Sequence, residues 1–352
     1  MKIIYLAVQN DKYDPKRGKS YEESAFADNL RNMQGVELIE YPYDKILAVG
    51  KKAYNEGLEK LVESEKPDLV FAVMYTDELD LKTLDKIKTM TTTAGWFCDD
   101  HRRFDTYTKE YATHFSYPIT THVGAIEKYK KLGAALVLLS QWAASAKNID
   151  EAVNLPKDDV GYKYSVSFVG QKNYYRGKWV EMLAARGIIV EAYGAGWERG
   201  RVSGAEMKDI FRTSRINLNF TVPQSGFGIE SWGRLLLKRS VNRFVWNGWH
   251  FFANIRQWWQ QRIPQIKARS FEITAVGGFC ITGAVPGMEL YFKENEEAVF
   301  YHSIDDLTQK IQYYLAHPKE REAIRDLGHE RTKREHTYDL RFKKLFEQMH
   351  LL

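Results

Sequence analysis

Short apolar runs alternate with amphipathic stretches from the first residues onward, in the rhythm of strands followed by helices. Apolar runs at 2–8, 36–41, 68–74, 92–98, 118–121 and 135–139 predict strands. Between them, 21–33, 43–63, 81–88 and 123–131 carry apolar residues at helical spacing, and 9–20 is a polar loop. Strands separated by helices of this length imply right-handed βαβ crossovers and a parallel sheet.

A polar stretch at 150–161, DEAVNLPKDDVG, reads as a linker, after which the pattern restarts. Strands are expected at 164–169, 188–193, 216–222 and 298–302, with a helix at 175–186 closed by Gly187. Ser203 and Glu206 have capping-box spacing and open a helix to about 214. Ser303 with Asp306 caps another to about 316, and Pro318 suits the start of the next. The amphipathic stretch 338–351 can return to the first half. The expected fold is α/β, two Rossmann-like domains with a cleft between them, spanning 1–155 and 156–337.

The segment 226–267 breaks the rhythm, mixing Trp, Phe and Leu with Arg and Lys in WGRLLLKRSVNRFVWNGWHFFANIRQWWQQRIPQIK. Two readings stay open: an amphipathic element lying on an anionic membrane surface, or an aromatic-rich insertion packed over the cleft. Periodicity alone does not separate them.

At 352 residues the chain exceeds one usual core, and 44% hydrophobic with 28% charged residues is ordinary globular composition. The net charge of +5 favours anionic partners without choosing among nucleotides, acidic lipids and nucleic acid. Cys98 and Cys280 lie in apolar runs of different halves, which fits a reducing compartment better than a disulfide framework. The start, MKIIYLAVQND, turns polar too early for a signal peptide. No apolar run is long enough to span a bilayer. The expected location is cytoplasmic, with the inner face of a membrane as the alternative.

The chemistry concentrates in RSFEITAVGGFCITG, residues 269–283. It reads as a basic loop, a short helix with Glu272 in its first turn, a stop at Gly277-Gly278, and a buried strand. A helix N-terminus presents free N–H groups and a positive dipole end, so Lys267 and Arg269 leading into one suit a diphosphate. The carboxylate of Glu272 accepts hydrogen bonds from neighbouring sugar hydroxyls. The bland alternative is a surface loop with an acid near a helix start. Gly170, Tyr193 and Gly194 mark two Gly-containing turns at strand carboxyl ends, where open α/β sheets bind ligands. Arg176 and Lys178 either contact phosphate or are solvated first-turn residues. In the first half, WFCDDH ends a strand with Asp99, Asp100 and His101. These can act as a base near an acceptor hydroxyl, hold a divalent metal, or cap a helix. Strand alternation turns only one of the two acids outward, and Asp100 or His101 is the favoured catalytic group. No zinc-type spacing, P-loop or G-x-S-x-G occurs.

The stretches SFVGQKNYYRGKWVEML, VEAYGAGWERGRVSGAEMKDIFRTSRINLNF, RSFEITAVGGFCITGAVPGMELYF and REHTYDLRF resemble glycosyltransferases of the CgeB (spore-maturation-protein-like) type. That type falls within the group-one transferases of GT-B fold. The first half matches less closely, best at AGWFCDDHRRF. The resemblance implies that the second domain holds a nucleotide-sugar, UDP first among its carriers, with Glu272 at the ribose. It puts Lys267 and Arg269 by the diphosphate and Gly277-Gly278 along the donor pocket. Many relatives carry an earlier acid eight positions before Glu272, where this chain has Pro264, so retaining or inverting outcome stays open. GT-B enzymes generally need no metal for the diphosphate, so no metal ligand or other cofactor is expected. The acceptor is a hydroxyl on a glycan, a lipid-linked sugar or another molecule. The rival readings are a non-catalytic binder of the same fold and a nucleic-acid-binding protein using 226–267.

Overall fold

Parallel strand pairing organises both halves of the chain. The structure, a computed structural model, describes residues 1–150, 155–156, 159–221, 233 and 235–352. They form two units, one of Met1–Gln141, Gly228–Gln260 and Arg341–Leu352, the other of Trp142–Phe227 and Gln261–Leu340.

The first unit contains β1 (Lys2–Leu6), β2 (Glu37–Glu40), β3 (Leu69–Val73), β4 (Thr92–Phe97), β5 (Tyr117–Thr120) and β6 (Leu138–Leu139). They make one parallel sheet in the order β2-β1-β3-β4-β5-β6. In register, Ile4 faces Val70 and Val70 faces Thr93. The chain goes from β1 to one side and then to the other, so the order reverses between β1 and β3. The central strand β3, LVFAV, is buried throughout, as helices over both faces of a parallel sheet require. Phe26, Trp96 and Phe342 meet edge to face at 4.9 and 5.5 Å, with Phe342 supplied by the last helix, Tyr338–Gln348.

Some elements differ from the pattern read off the sequence, among them the strand expected at 188–193, which forms only at Glu191–Tyr193. The helix expected at 43–63 is interrupted at Gly50, whose φ of 82° ends Ile46–Val49 before Lys51–Glu65 begins. The helix expected at 21–33 starts as a π-helical segment, Glu22–Ala27. The strand expected at 135–139 pairs only at Leu138 and Leu139.

The second unit begins with β7 (Tyr164–Val169), β8 (Glu191–Tyr193) and β9 (Ser214–Asn219). The chain then makes an antiparallel hairpin, β10 (Leu237–Ser240) and β11 (Arg243–Trp246), which belongs to the first unit. It returns for β12 (Cys280–Gly283) and β13 (Val299–Tyr301). The second sheet is parallel, in the order β13-β12-β9-β7-β8, and reverses between β7 and β9. The Ser203–Glu206 capping box is present on both sides, Ser303 accepts from the Asp306 N–H, and Pro318 opens Pro318–Glu335.

The division between units falls at Gln141/Trp142, earlier than the polar stretch at 150–161. Ala144 is already buried with Phe271 and Phe292 in the second unit, and Trp142 and Ile149 pack on that cluster. Residues 151–154 and 157–158 of the expected linker lie outside the described residues. So do Val222 of the strand expected at 216–222, and 226–232 and 234 of the aromatic segment. Among the described residues no helix is long and apolar enough to cross a membrane.

Candidate functional site at the edge of the second sheet

In a parallel sheet every crossover helix runs back against the strands, so its N-terminus stands at the strands' carboxyl edge. At that edge the turns after β7 and β8 are fastened to each other. The Gly170 N–H donates to the Tyr193 carbonyl at 2.8 Å, and the Lys172 N–H to that of Ala195 at 2.8 Å. The Trp197 indole N–H donates to the Gly170 carbonyl at 2.8 Å. Gly194 has φ of 126°, and a Cβ there would overlap the Gly170 oxygen. The glycines are therefore used by the two turns on each other. Tyr193 packs edge to face on Tyr164 at 6.1 Å, and burial pushes its hydroxyl up to about 12.

Arg176 sits at the point where strand order reverses. It lies in the first turn of the helix Tyr174–Ala184, whose cap Asn173 accepts from the Arg176 N–H. Its guanidinium donates to the Gln171 carbonyl at 2.8 Å and, across the reversal, to that of Phe220 at 3.5 Å. It rests over the Phe168 ring, and its Nε is buried without a hydrogen bond. Among the described residues it pairs with no carboxylate. Burial, and then the charge of Arg269, lower its pKa.

The helix Ala268–Ala275 brings Arg269 and Glu272 to the same edge. Lys267 is its N-cap, with no side-chain cap on the first-turn N–H groups. Arg269 lies inside the helix rather than in a preceding loop. Glu272 is its fifth residue, so it falls in the second turn, not the first. One turn apart, Arg269 Nη1 donates to Glu272 Oε2 at 2.6 Å, both side chains being about one-fifth exposed. The Arg269 guanidinium also stacks over Phe211.

Beneath them, Asn219 at the end of β9 donates to Ser270 Oγ at 2.9 Å and Thr282 Oγ1 at 3.0 Å. This ties the helix start to two strands. The Tyr301 hydroxyl accepts from the Thr221 N–H at 3.2 Å. Sequence reasoning missed both residues. The signal for Asn219 was its place in the run INLNF, where an inward amide demands a buried partner.

Gly277 and Gly278 are not brought to this cluster. They follow the other end of the helix, roughly 12 Å away by helical rise. A Cβ on Gly277, at φ of 73°, would overlap Leu155, and one on Gly278 would stand 2.9 Å from Ile273 Cγ2. Their smallness serves chain packing.

In the first unit, the two acids after β4 part company. Asp100 is 1% exposed and accepts from the Thr108, Thr120 and Tyr129 hydroxyls at 2.6, 2.6 and 2.7 Å. It is an internal anchor for the turn, and burial raises its pKa. Asp99 is the acid with solvent access, held in the left-handed region at φ of 62° and paired with Arg102. His101 is buried with its ring 6.0 Å from that of His122. Among the described residues there is no group of three or more His, Cys, Asp or Glu able to hold a metal ion.

A family model described as "Glycosyl transferase-like" matches residues 176–347. Among curated proteins none matches the chain. Among solved structures, Anabaena HepE in complex with UDP and glucose aligns with a TM-score of 0.59 at 11% identity, covering 100% of each chain. The lipopolysaccharide outer core galactosyltransferase WaaB, in its apo form, aligns with a TM-score of 0.58 at 13% identity over 99% of each chain. A glycosyltransferase from Rickettsia africae aligns with 0.58 at 9% identity over 99% of this chain and 98% of its own. At these identities the likeness is one of fold, and the fold of this chain is GT-B: two Rossmann-like units, each on a parallel sheet.

Proposed function

We propose that this chain is a glycosyltransferase that moves a sugar from a nucleoside-diphosphate donor to a hydroxyl acceptor. The observation that carries the reading is Arg176, a half-buried guanidinium with no carboxylate partner among the described residues, at the strand-order reversal of the second sheet. Ligands of open α/β sheets bind at such reversals. Close by, an uncapped helix start supplies N–H donors, and Arg269 a second cation. Cleaving the anomeric bond leaves negative charge on the diphosphate. Positive groups fixed there beforehand lower that barrier. Glu272 takes the ribose hydroxyls, exchanging part of its contact with Arg269 for them. On the acceptor side, the accessible Asp99 and the neighbouring His101 replace Asp100 as the groups closest to the incoming hydroxyl.

The finer parts of the reading rest on sequence. The stretches around 167–183, 190–220, 269–292 and 334–342 favour the CgeB type, and UDP is the expected carrier. A cytoplasmic location fits the two free cysteines. The test is a thermal-shift panel of UDP-, GDP-, dTDP- and CMP-sugars. At about 100 times its dissociation constant the true donor adds roughly 2.7 kcal/mol of stability. Slow release of free sugar from that donor then separates an enzyme from a binder. No shift with any donor sinks the proposal.

A further inference from the structure

Between Ser231 and Phe271 the chain carries eight Lys and Arg and no Asp or Glu, although the whole chain is nearly balanced at 51 basic to 46 acidic residues. The same segment holds every strongly exposed Trp and Phe among the described residues. Trp249 is 89% exposed, Phe252 86%, Phe244 73% and Trp246 59%. In the hairpin, Leu237 faces Trp246 and both are exposed, while Arg239, opposite the exposed Phe244, reaches back to Tyr75. In the helix Phe251–Gln260, Phe252, Arg256 and Trp259 fall at i, i+4 and i+7 and form one exposed stripe. A globular surface does not spend its largest apolar rings on water in this way.

The inner side of the segment is keyed to the first unit. Arg239 donates to the Tyr75 hydroxyl at 3.1 Å and the Lys12 carbonyl at 3.0 Å, and its guanidinium lies over the Tyr13 and Tyr75 rings. Ser240 donates to Asp77 at 2.9 Å, and the Val241 N–H to Thr76 Oγ1 at 2.9 Å. Val241 is buried at φ of 50°, a conformation a β-branched residue adopts only when surrounding contacts hold it. Asn254 binds the helix back to the hairpin through the Leu235 carbonyl at 2.8 Å. The loops that receive these contacts follow β1 and β3, on either side of the first sheet's strand-order reversal.

We propose that the exposed aromatic surface of this segment seats the protein on a bilayer containing anionic phospholipids, with Trp249 and Phe252 in the headgroup region and Arg256, on the same helix stripe as Phe252, against the lipid phosphates, while the exposed Lys238 and Arg243 on the hairpin's other side add positive charge. Indole and phenyl rings flanked by cations match that interface in both polarity and charge. Two copies of an acid-free cationic face repel one another, which disfavours self-association. The anchored inner side then holds the ligand edge of the first sheet at the lipid surface. Where the glycosyltransferase reading holds, this makes the acceptor a membrane-bound hydroxyl compound.

The test is sedimentation of the full chain with vesicles of phosphatidylcholine alone and with about one-third phosphatidylglycerol, at low and high salt. Binding is expected to the anionic vesicles and to weaken with salt. Arg243→Glu with Arg256→Glu lowers the partition at least ten-fold, since each surface cation contributes about five-fold. Trp249→Ala with Phe252→Ala lowers it at least ten-fold, and Trp249→Ala alone by a smaller factor. All three variants keep the parent melting temperature and its nucleotide-sugar thermal shift, so failure here is distinguishable from failure of the donor site. Equal binding to both vesicle types, no vesicle binding, oligonucleotide binding in its place, or a dimer split by the aromatic pair of substitutions each overturns the proposal.

Discussion

Gly194, at φ of 126°, lies directly against the carbonyl of Gly170, whose own N–H donates to Tyr193 at 2.8 Å. A methyl group there meets backbone, which has no rotamer to yield. Gly194→Ala is expected to destabilise the second unit by about 2–4 kcal/mol. Gly187→Ala, at φ of 80° with open space around it, costs only about 1 kcal/mol. Thermal unfolding of both variants checks this, with a drop of roughly 5–10 °C for the first. Equal melting temperatures count against the interlocked turns.

Arg176 is a half-buried cation without a carboxylate partner among the described residues, so its removal separates stability from binding. Arg176→Met is expected to leave the apo protein as stable as the parent or more so, because the desolvated charge is gone. The same change raises the donor's dissociation constant about ten-fold or more, the range of a lost charge-assisted hydrogen bond. Calorimetry with UDP and a melting curve read the two effects. Loss of stability with unchanged affinity makes Arg176 structural.

The pair of Arg269 and Glu272 gives the complementary case. A partly exposed ion pair of this kind is worth at most about 1 kcal/mol to the fold. Glu272→Ala therefore barely moves the melting temperature. If the carboxylate takes the ribose hydroxyls, the same change weakens nucleotide binding by roughly ten-fold or more. A 2′,3′-dideoxyribonucleotide is expected to bind parent and variant alike. Parent-like affinity for the full nucleotide in the variant removes Glu272 from the site.

Glu78 in the first unit offers a pH test. It is 1% exposed, accepts the Thr76 N–H at 2.7 Å and the Tyr13 and Thr76 hydroxyls, and burial raises its pKa above the ordinary 4.5. The folded state therefore holds this proton to higher pH than the unfolded chain, so stability falls as pH rises from about 4.5 through the raised value. Glu78→Gln lacks the ionisation. Its stability relative to the parent should improve over that window and level off above it. Denaturant melts of both proteins at pH 4, 5.5 and 7 measure the difference, and a constant difference rejects the assignment.

The sequence by itself determined the order of elements, the parallel class of both sheets, the caps at Ser203 and Ser303, and the edge on which Gly170, Arg176 and Arg269 lie. These follow from local propensity and from the period of burial, which a single chain displays. Tertiary structure alone decided that Asp100 turns inward to three hydroxyls while Asp99 keeps solvent access. It also decided that Gly277 and Gly278 pack on Leu155 and Ile273, and that the hairpin tip at Val241 locks into the first unit. Such outcomes depend on which residue fills the space beside a side chain, and neighbours as far as 165 positions away leave no periodic trace.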